Sequence, residues 1–469
     1  MKIVPQLESY PWLVTFGQSK FGKPMLIAAF AGLLYVNQVD WCIETTVAVG
    51  LAAYFPTWRR LIVSVAALHW LMFLYGGLNW SLLTLFLVFT TYFLYVRSVH
   101  GRHNSFASRR PVFCLVATFA ATLAAAGLMP PGGTTQFVWG IIATTGPYLW
   151  YFAYALKDAS RNTPDGPLLQ FGTFYPFWGG TFVPFPKGSA DLRRTEAQNP
   201  HDLCITQLKA IKLLLWVLVL RALLTGFSAV AYGGPGRLLG IHDSVHWGQW
   251  IIPNLGIPDL DMAIHRPMLP IAVAWESVIA HFVESLLALS IFGHIVIATC
   301  KMAGFNVLRN TYRPLESRTV AEFWNRYYYY FKELLVEFFF FPVFTRYFKQ
   351  HRRLRVFVAT MSAATFGNML YHFFKHYELV VKFGLLGALS GFRVYAFYAT
   401  VLGLGIGISQ LRAASRTRVD SNSAWWRKIL ATAGVLAFFS LLEIFDQEDR
   451  SVNLGEHVRF FMHLFFIEF

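Results

Sequence analysis

The apolar positions of this chain gather into runs rather than spreading along it. A helix that crosses a bilayer needs about 20 mostly apolar residues. Runs of that kind, some needing their flanks, lie near 23–37, 41–55, 60–76, 80–96, 111–129, 135–156, 211–233, 269–300, 355–374, 378–411 and 427–444. They predict an all-α fold, a polytopic transmembrane helical bundle of about 11 spans with re-entrant or interfacial helices between them. A last apolar stretch, 459–469, is expected to lie in the interface.

Two of the runs are too long. At about 1.5 Å per residue, 378–411 makes about 50 Å of helix against a hydrocarbon core of about 30 Å. Gly384, Gly387 and Gly391 offer places to break it, and strong tilt is the alternative. Residues 269–300 raise the same difficulty. Between spans, 157–210 is the longest stretch without one. Its middle, LLQFGTFYPFWGGTFVPFPKG, is apolar but interrupted by Gly and Pro. Such a segment suits a re-entrant or interfacial element whose backbone is satisfied by protein or water.

Composition agrees. Of 469 residues, 55% are hydrophobic and only 14% charged, whereas soluble domains carry roughly 25% charged residues. One membrane-embedded unit, 1–469, replaces the several soluble domains that length alone suggests. Trp12, Trp41, Trp58, Trp80 and Trp426 flank apolar runs, where amphipathic rings favour the membrane boundary. The net charge of +15 sits in short loops, which reads as topology and anionic lipid headgroups and sets nucleic acid aside. Arg59 and Arg60, then Arg97 to Arg110, then Lys157 to Lys209, then Arg309 to Arg318 fall in alternate loops. That alternation predicts a cytoplasmic N-terminus and cytoplasmic basic loops.

The N-terminus lacks the pattern of a cleaved signal peptide, so the first span is expected to act as an uncleaved anchor. Cys42, Cys114, Cys204 and Cys300 form no CxxC pair and no zinc-spaced cluster, and predict neither a disulfide framework nor a metal site.

The segment 306–348 is unusual on physical grounds. Arg318, Glu322, Arg326, Lys332, Glu333 and Glu337 interleave with a heavy aromatic load. From 322 onward it reads as an amphipathic boundary helix. Ser317 or Thr319 can cap its start, with Glu322 three residues after Thr319. The following span places Asn368 and His372 four residues apart, on one helical face. A histidine inside a span is expensive and marks either a functional cavity or a contact with a polar neighbour.

The ordered set Asn310, Pro314, Leu315, Glu322-Phe323-Trp324-Asn325-Arg326, Asn368-Met369-Leu370 and His372 resembles the membrane-bound O-acyltransferase superfamily. The likeness is to its bacterial branch of D-alanyl transfer and alginate O-acetylation proteins. It covers roughly 140–375, an acyltransferase-like core, with FYPFWGGTFVP similar to an earlier family element. The family follows its arginine with Trp-His or Trp-Asn; this chain has Tyr327 and Tyr328, so the first histidine of the motif is absent.

The resemblance implies acyl transfer, acetyl or aminoacyl, to a hydroxyl of a cell-envelope glycan or lipid. His372 would be the base and Asn368 its neighbour, with Trp324, Asn325, Arg326 and Tyr328 lining the substrate site. Asn368, Tyr328 or Arg326 would supply the oxyanion donor. No cofactor is bound tightly; the acyl donor is a co-substrate, acyl-CoA or an acyl-carrier protein. Partners would be membrane lipid, the envelope acceptor, and a carrier or periplasmic protein, in a bacterial inner membrane.

Other constellations compete. Glu276, His281, Glu284 and His294 share one long run, as polar glue between helices or as a proton relay. The loop 241–247, HDSVHW, and the trio Asp259, Asp261 and His265 read as solvated loop. The basic runs 346–355 and 412–428 fit topology and headgroups, with a carrier protein or coenzyme phosphates as the rarer use. A transporter and a silent acyltransferase relative acting as scaffold are the alternatives to the enzyme.

Overall fold

The computed structural model describes residues 4–74, 110–130, 146–160, 167–174, 176–178, 183–232, 255–266, 269–415, 425–446 and 453–467, with isolated positions between 90 and 142. All but two positions of the expected span at 80–96 and the whole of the loop 241–247 lie outside these residues, as does most of the basic stretch after 415. Among the described residues the structure is helical, and the one β element is an isolated bridge between Glu196 and Phe305.

Among the described residues, four helices are long and apolar enough to cross a membrane: Pro200–Tyr232, Ile271–Met302, Lys382–Ala413 and Trp425–Glu443. Shorter apolar helices run over Gly22–Val36, Cys42–Tyr54 and Val112–Leu128. Helices of this length and composition belong to a membrane-embedded protein. Boundaries read from the apolar runs fall close to the observed ones for 22–36, 42–54, 59–74, 111–128 and 425–443. In the run 135–156, the described helix Leu149–Ser160 covers the end, and 136, 137, 140, 141 and 143–145 lie outside the described residues.

The two overlong runs resolve differently. In 378–411 the backbone at Gly384 turns to φ 69°, ψ 172°, which interrupts the helix. That combination is essentially restricted to glycine. The run at 269–300, by contrast, is one continuous helix of 32 residues, about 48 Å at about 1.5 Å per residue.

The chain forms two compact units, each assembled from separate stretches. The first comprises Met1–Leu218, Gly293–Arg309 and Phe374–Leu385. In it, the interrupted apolar segment makes a short helix, Pro167–Phe174, laid against Arg59–Leu74. Gly172 makes this possible, because a Cβ there would meet Val63 Cγ1 at 2.5 Å. Trp178 then buries its ring and donates Nε1–H to the Phe185 carbonyl at 2.6 Å. Arg59, a loop charge in the topology argument, is 3% exposed. Its guanidinium pairs with Glu196 at 2.6 Å and donates to the Ala52 carbonyl at 2.6 Å. It therefore serves packing as much as orientation.

The second unit comprises Val219–Phe292, Asn310–Phe373 and Leu386–Phe469. It holds the aromatic segment and the Asn368–His372 pair.

Candidate functional site

The aromatic segment is not one amphipathic helix. Thr319 caps Val320–Tyr327, its side chain accepting from the Glu322 N–H at 3.1 Å. The chain then leaves helical geometry at Tyr328, φ −134°, ψ 76°, and restarts as Tyr329–Leu335. Asn310 holds this break. Its carbonyl accepts the Tyr329 N–H at 2.9 Å and its side-chain Oδ1 the Tyr330 N–H at 3.3 Å. Thr311 adds a bond from its hydroxyl to the Tyr327 carbonyl at 2.7 Å. Asn310 and the stretch after it are thus the lock of a local helix break.

Two π-helical turns follow, Val336–Phe340 and Ser362–Gly367, and they lie against each other. Gly367 lets them meet: a Cβ there would stand 2.6 Å from Phe339 Cδ2. Single π turns inside α-helices are rare and concentrate at functional sites. Asn368 is the first residue after the second π turn.

Asn368 is fully buried, and neither atom of its carboxamide has a hydrogen-bond partner among the described residues. A buried polar group left so costs about 1–3 kcal/mol. One turn on, His372 is half-buried in a ring of aromatics. Its imidazole stacks on Tyr395, centroids 4.7 Å apart at 29°, and meets Tyr371 at 5.2 Å and Phe331 at 6.2 Å edge to face.

Phe331 links the two halves of the expected site. It contacts Tyr371 at 4.6 Å, Trp324 at 5.7 Å and Tyr328 at 5.5 Å. The structure therefore brings His372, Trp324 and Tyr328 into one aromatic cluster through Phe331, and Asn368 lies one helical turn before the histidine. Asn325 and Arg326 stand apart from it in character. Asn325 is exposed. Arg326 pairs with Glu322 at 2.6 Å and donates to the Arg313 carbonyl at 3.3 Å. It lines a separate cavity of about 730 Å³ with Glu316, Arg318, Glu322 and Lys428. Of the three expected oxyanion donors, Arg326 is engaged with Glu322 and the Arg313 carbonyl, while the Asn368 amide has no hydrogen-bond partner among the described residues.

Sequence reasoning missed the acidic neighbourhood of Tyr327. Burial first, then the carboxyls of Glu443 and Asp446, push its phenol well above the ordinary tyrosine range. Glu443 also faces His281, Nε2 to Oε2 3.6 Å, which ties Ile271–Met302 to Trp425–Glu443. Tyr232 hydrogen-bonds Glu284. These contacts fit the glue reading of the histidine-rich run. Among the described residues no group of three His, Cys, Asp or Glu side chains gathers in a way that would hold a metal ion, and the four cysteines are unbonded.

No protein-family model matches the chain, and no curated protein matches it.

Proposed function

We propose that this membrane-embedded protein is an O-acyltransferase that works through His372, moving an acetyl or aminoacyl group to a hydroxyl of a cell-envelope glycan or lipid. The observation that carries the reading is the buried carboxamide of Asn368, without a protein partner among the described residues, one helical turn before a half-buried histidine. Such a pair supplies what acyl transfer needs: an imidazole to take the hydroxyl proton and an amide donor for the oxyanion.

In this reading a neutral His372 takes the proton of the acceptor hydroxyl as its oxygen attacks the acyl carbonyl carbon. Asn368 donates to the oxyanion that forms. The new C–O ester bond is made, the C–S bond of a thioester donor breaks, and the proton passes from His372 to the departing thiolate. Acyl-CoA or an acyl-carrier protein supplies such a thioester. Trp324, Tyr328 and Tyr395 wall the site and exclude water from the intermediate. About 11 spans, a cytoplasmic N-terminus and a bacterial inner membrane complete the proposal.

Mild alkaline release of ester-linked acyl groups from envelope fractions tests it. Cells with the wild-type protein should yield an acyl acid that cells with His372→Ala do not. Equal release from both would remove His372 from the chemistry.

One observation favours a transporter instead: the His281–Glu443 contact is an ionisable pair between two long apolar helices, the usual material of a proton path. Uptake or efflux coupled to protons, lost in His281→Ala and kept in His372→Ala, would decide for that reading.

A further inference from the structure

A second polar cavity, of about 320 Å³, lies wholly inside the first unit and shares no residue with the histidine site. Its polar lining consists of Glu8, Lys209, Lys212, Lys301, Asn306 and Arg309. Lys209 and Lys212 stand three residues apart on Pro200–Tyr232, hence on one face. Lys301 closes the last turn of Ile271–Met302, and Arg309 follows it after a short irregular stretch.

Two of these cations are deeply buried. Lys212 is 6% exposed and Lys301 5%. Burying an ammonium costs several kcal/mol unless it is well compensated. Compensation within the cavity is partial. Glu8 pairs with Lys212, and Lys301 donates to Asn306 Oδ1 at 2.8 Å. An amide oxygen is no counter-charge, and the lining sets one carboxylate, Glu8, beside three lysines, Lys209, Lys212 and Lys301. Like charges are thus held together at a cost, in a space large enough for a polyatomic ligand.

Hydrogen bonds between its segments frame the cavity. The Asn306 N–H bonds the Thr195 carbonyl at 2.8 Å, and the Ala197 N–H the Gly304 carbonyl at 2.9 Å. Gln207 donates to the Met302 carbonyl at 3.3 Å. The cations are therefore placed before any ligand arrives, which lowers the cost of binding.

We infer that this cavity binds a phosphate-bearing anion. Lysines and an arginine converging on a preformed space match the charge and the many acceptor oxygens of a phosphate or diphosphate. A carboxylate ligand would leave most of the field unused. Two sources carry this chemistry, a soluble diphosphate group and a phospholipid headgroup. The loop-charge pattern puts Lys209 and Arg309 on the expected cytoplasmic side, where both are present. The inference does not depend on His372.

The test uses the full-length protein in neutral detergent. Inorganic pyrophosphate is titrated and the thermal midpoint followed; in parallel, phosphatidylglycerol retained from mixed phosphatidylcholine–phosphatidylglycerol vesicles is measured by native mass spectrometry. Lys209→Ala and Arg309→Ala are the variants, since both side chains are only half-buried and neither belongs to the Glu8–Lys212 pair. Each is used only with an unligated midpoint matching wild type, and Lys209→Arg serves as the rescue. A saturable pyrophosphate shift, weakened about tenfold or more in the alanine variants and restored in Lys209→Arg, assigns a soluble phosphate ligand. No such shift, but phosphatidylglycerol retained by wild type and lost from the variants, assigns a headgroup. Neither signal, or signals equal in wild type and variants, overturns the inference. His372→Ala should bind as wild type does, so failure here and failure of the acyltransferase reading are separate results.

Discussion

The imidazole of His372 lies stacked on the ring of Tyr395, their centroids 4.7 Å apart. Tyr395 is 3% exposed and itself stacks on Phe392 at 5.4 Å. The ring of Tyr395 forms one face of the histidine's surroundings, so keeping that ring keeps this contact. Tyr395→Phe is expected to keep stability within about 1 kcal/mol and to retain acyl transfer. Tyr395→Ala should lose about 3 kcal/mol by leaving a cavity and should also lower activity by freeing the imidazole. Thermal unfolding in detergent and ester release from the envelope check the two effects separately.

Asn368 carries the opposite signature. Its carboxamide is a burial cost in the folded state, so Asn368→Leu, close in volume, is expected to be neutral or stabilising by about 1 kcal/mol. If the proposed acyl transfer holds, the same change should abolish it, because the amide that would bind the oxyanion is gone. A variant that unfolds no earlier than wild type and is inactive is the expected outcome. A variant that is less stable and still active would show that the amide serves packing.

Gly384 is set by backbone geometry alone. A Cβ there would meet nothing within 4 Å, yet the residue sits at φ 69°, ψ 172°. Gly384→Ala should therefore cost about 1–3 kcal/mol through strain and not through a clash. Gly391, also without a neighbour within 4 Å and not at positive φ, should accept alanine without loss. Paired unfolding midpoints for the two variants test this difference.

The N-terminal turn is pinned by charge. Burial pushes the Glu8 carboxyl up, but the hydrogen bond and charge of Lys212 outweigh it and hold the group below its ordinary value. A carboxyl depressed on folding stabilises the protein above its unfolded pKa and loses that contribution as pH falls through the folded value. The stability gap between wild type and Glu8→Gln should be full at pH 7, begin to shrink below about 4.5, the ordinary value for Glu, and vanish in stronger acid. A gap that grew on acidification would contradict the sign.

Much of the helical frame was legible because apolar length is a local property. The runs at 23–37, 41–55, 60–76 and 111–129 needed nothing beyond their own residues, and Thr319 with Glu322 marked a helix start correctly. That 378–411 is overlong was readable for the same reason, but not which of Gly384, Gly387 and Gly391 breaks it. The π turns at 336–340 and 362–367 were not, since an apolar sequence does not distinguish them from α turns. Pairings between distant residues were equally hidden. Nothing near His281 announces Glu443, and nothing near Lys301 announces Lys212 across the same cavity. Within the site, the spacing of Asn368 and His372 was visible, but not the aromatic floor that Tyr395 provides. The prominent Arg326 illustrates the reverse case, a motif residue whose charge is met by Glu322.

Mass spectrometry of envelope glycans and lipids from cells carrying wild type, His372→Ala or no copy tests the central claim most directly. The account predicts one acyl increment, acetyl or aminoacyl, on a single acceptor class, present with wild type and absent from the other two. The same increment in wild-type and His372→Ala cells would contradict it, and would leave His372 a packed histidine in a membrane protein of another kind.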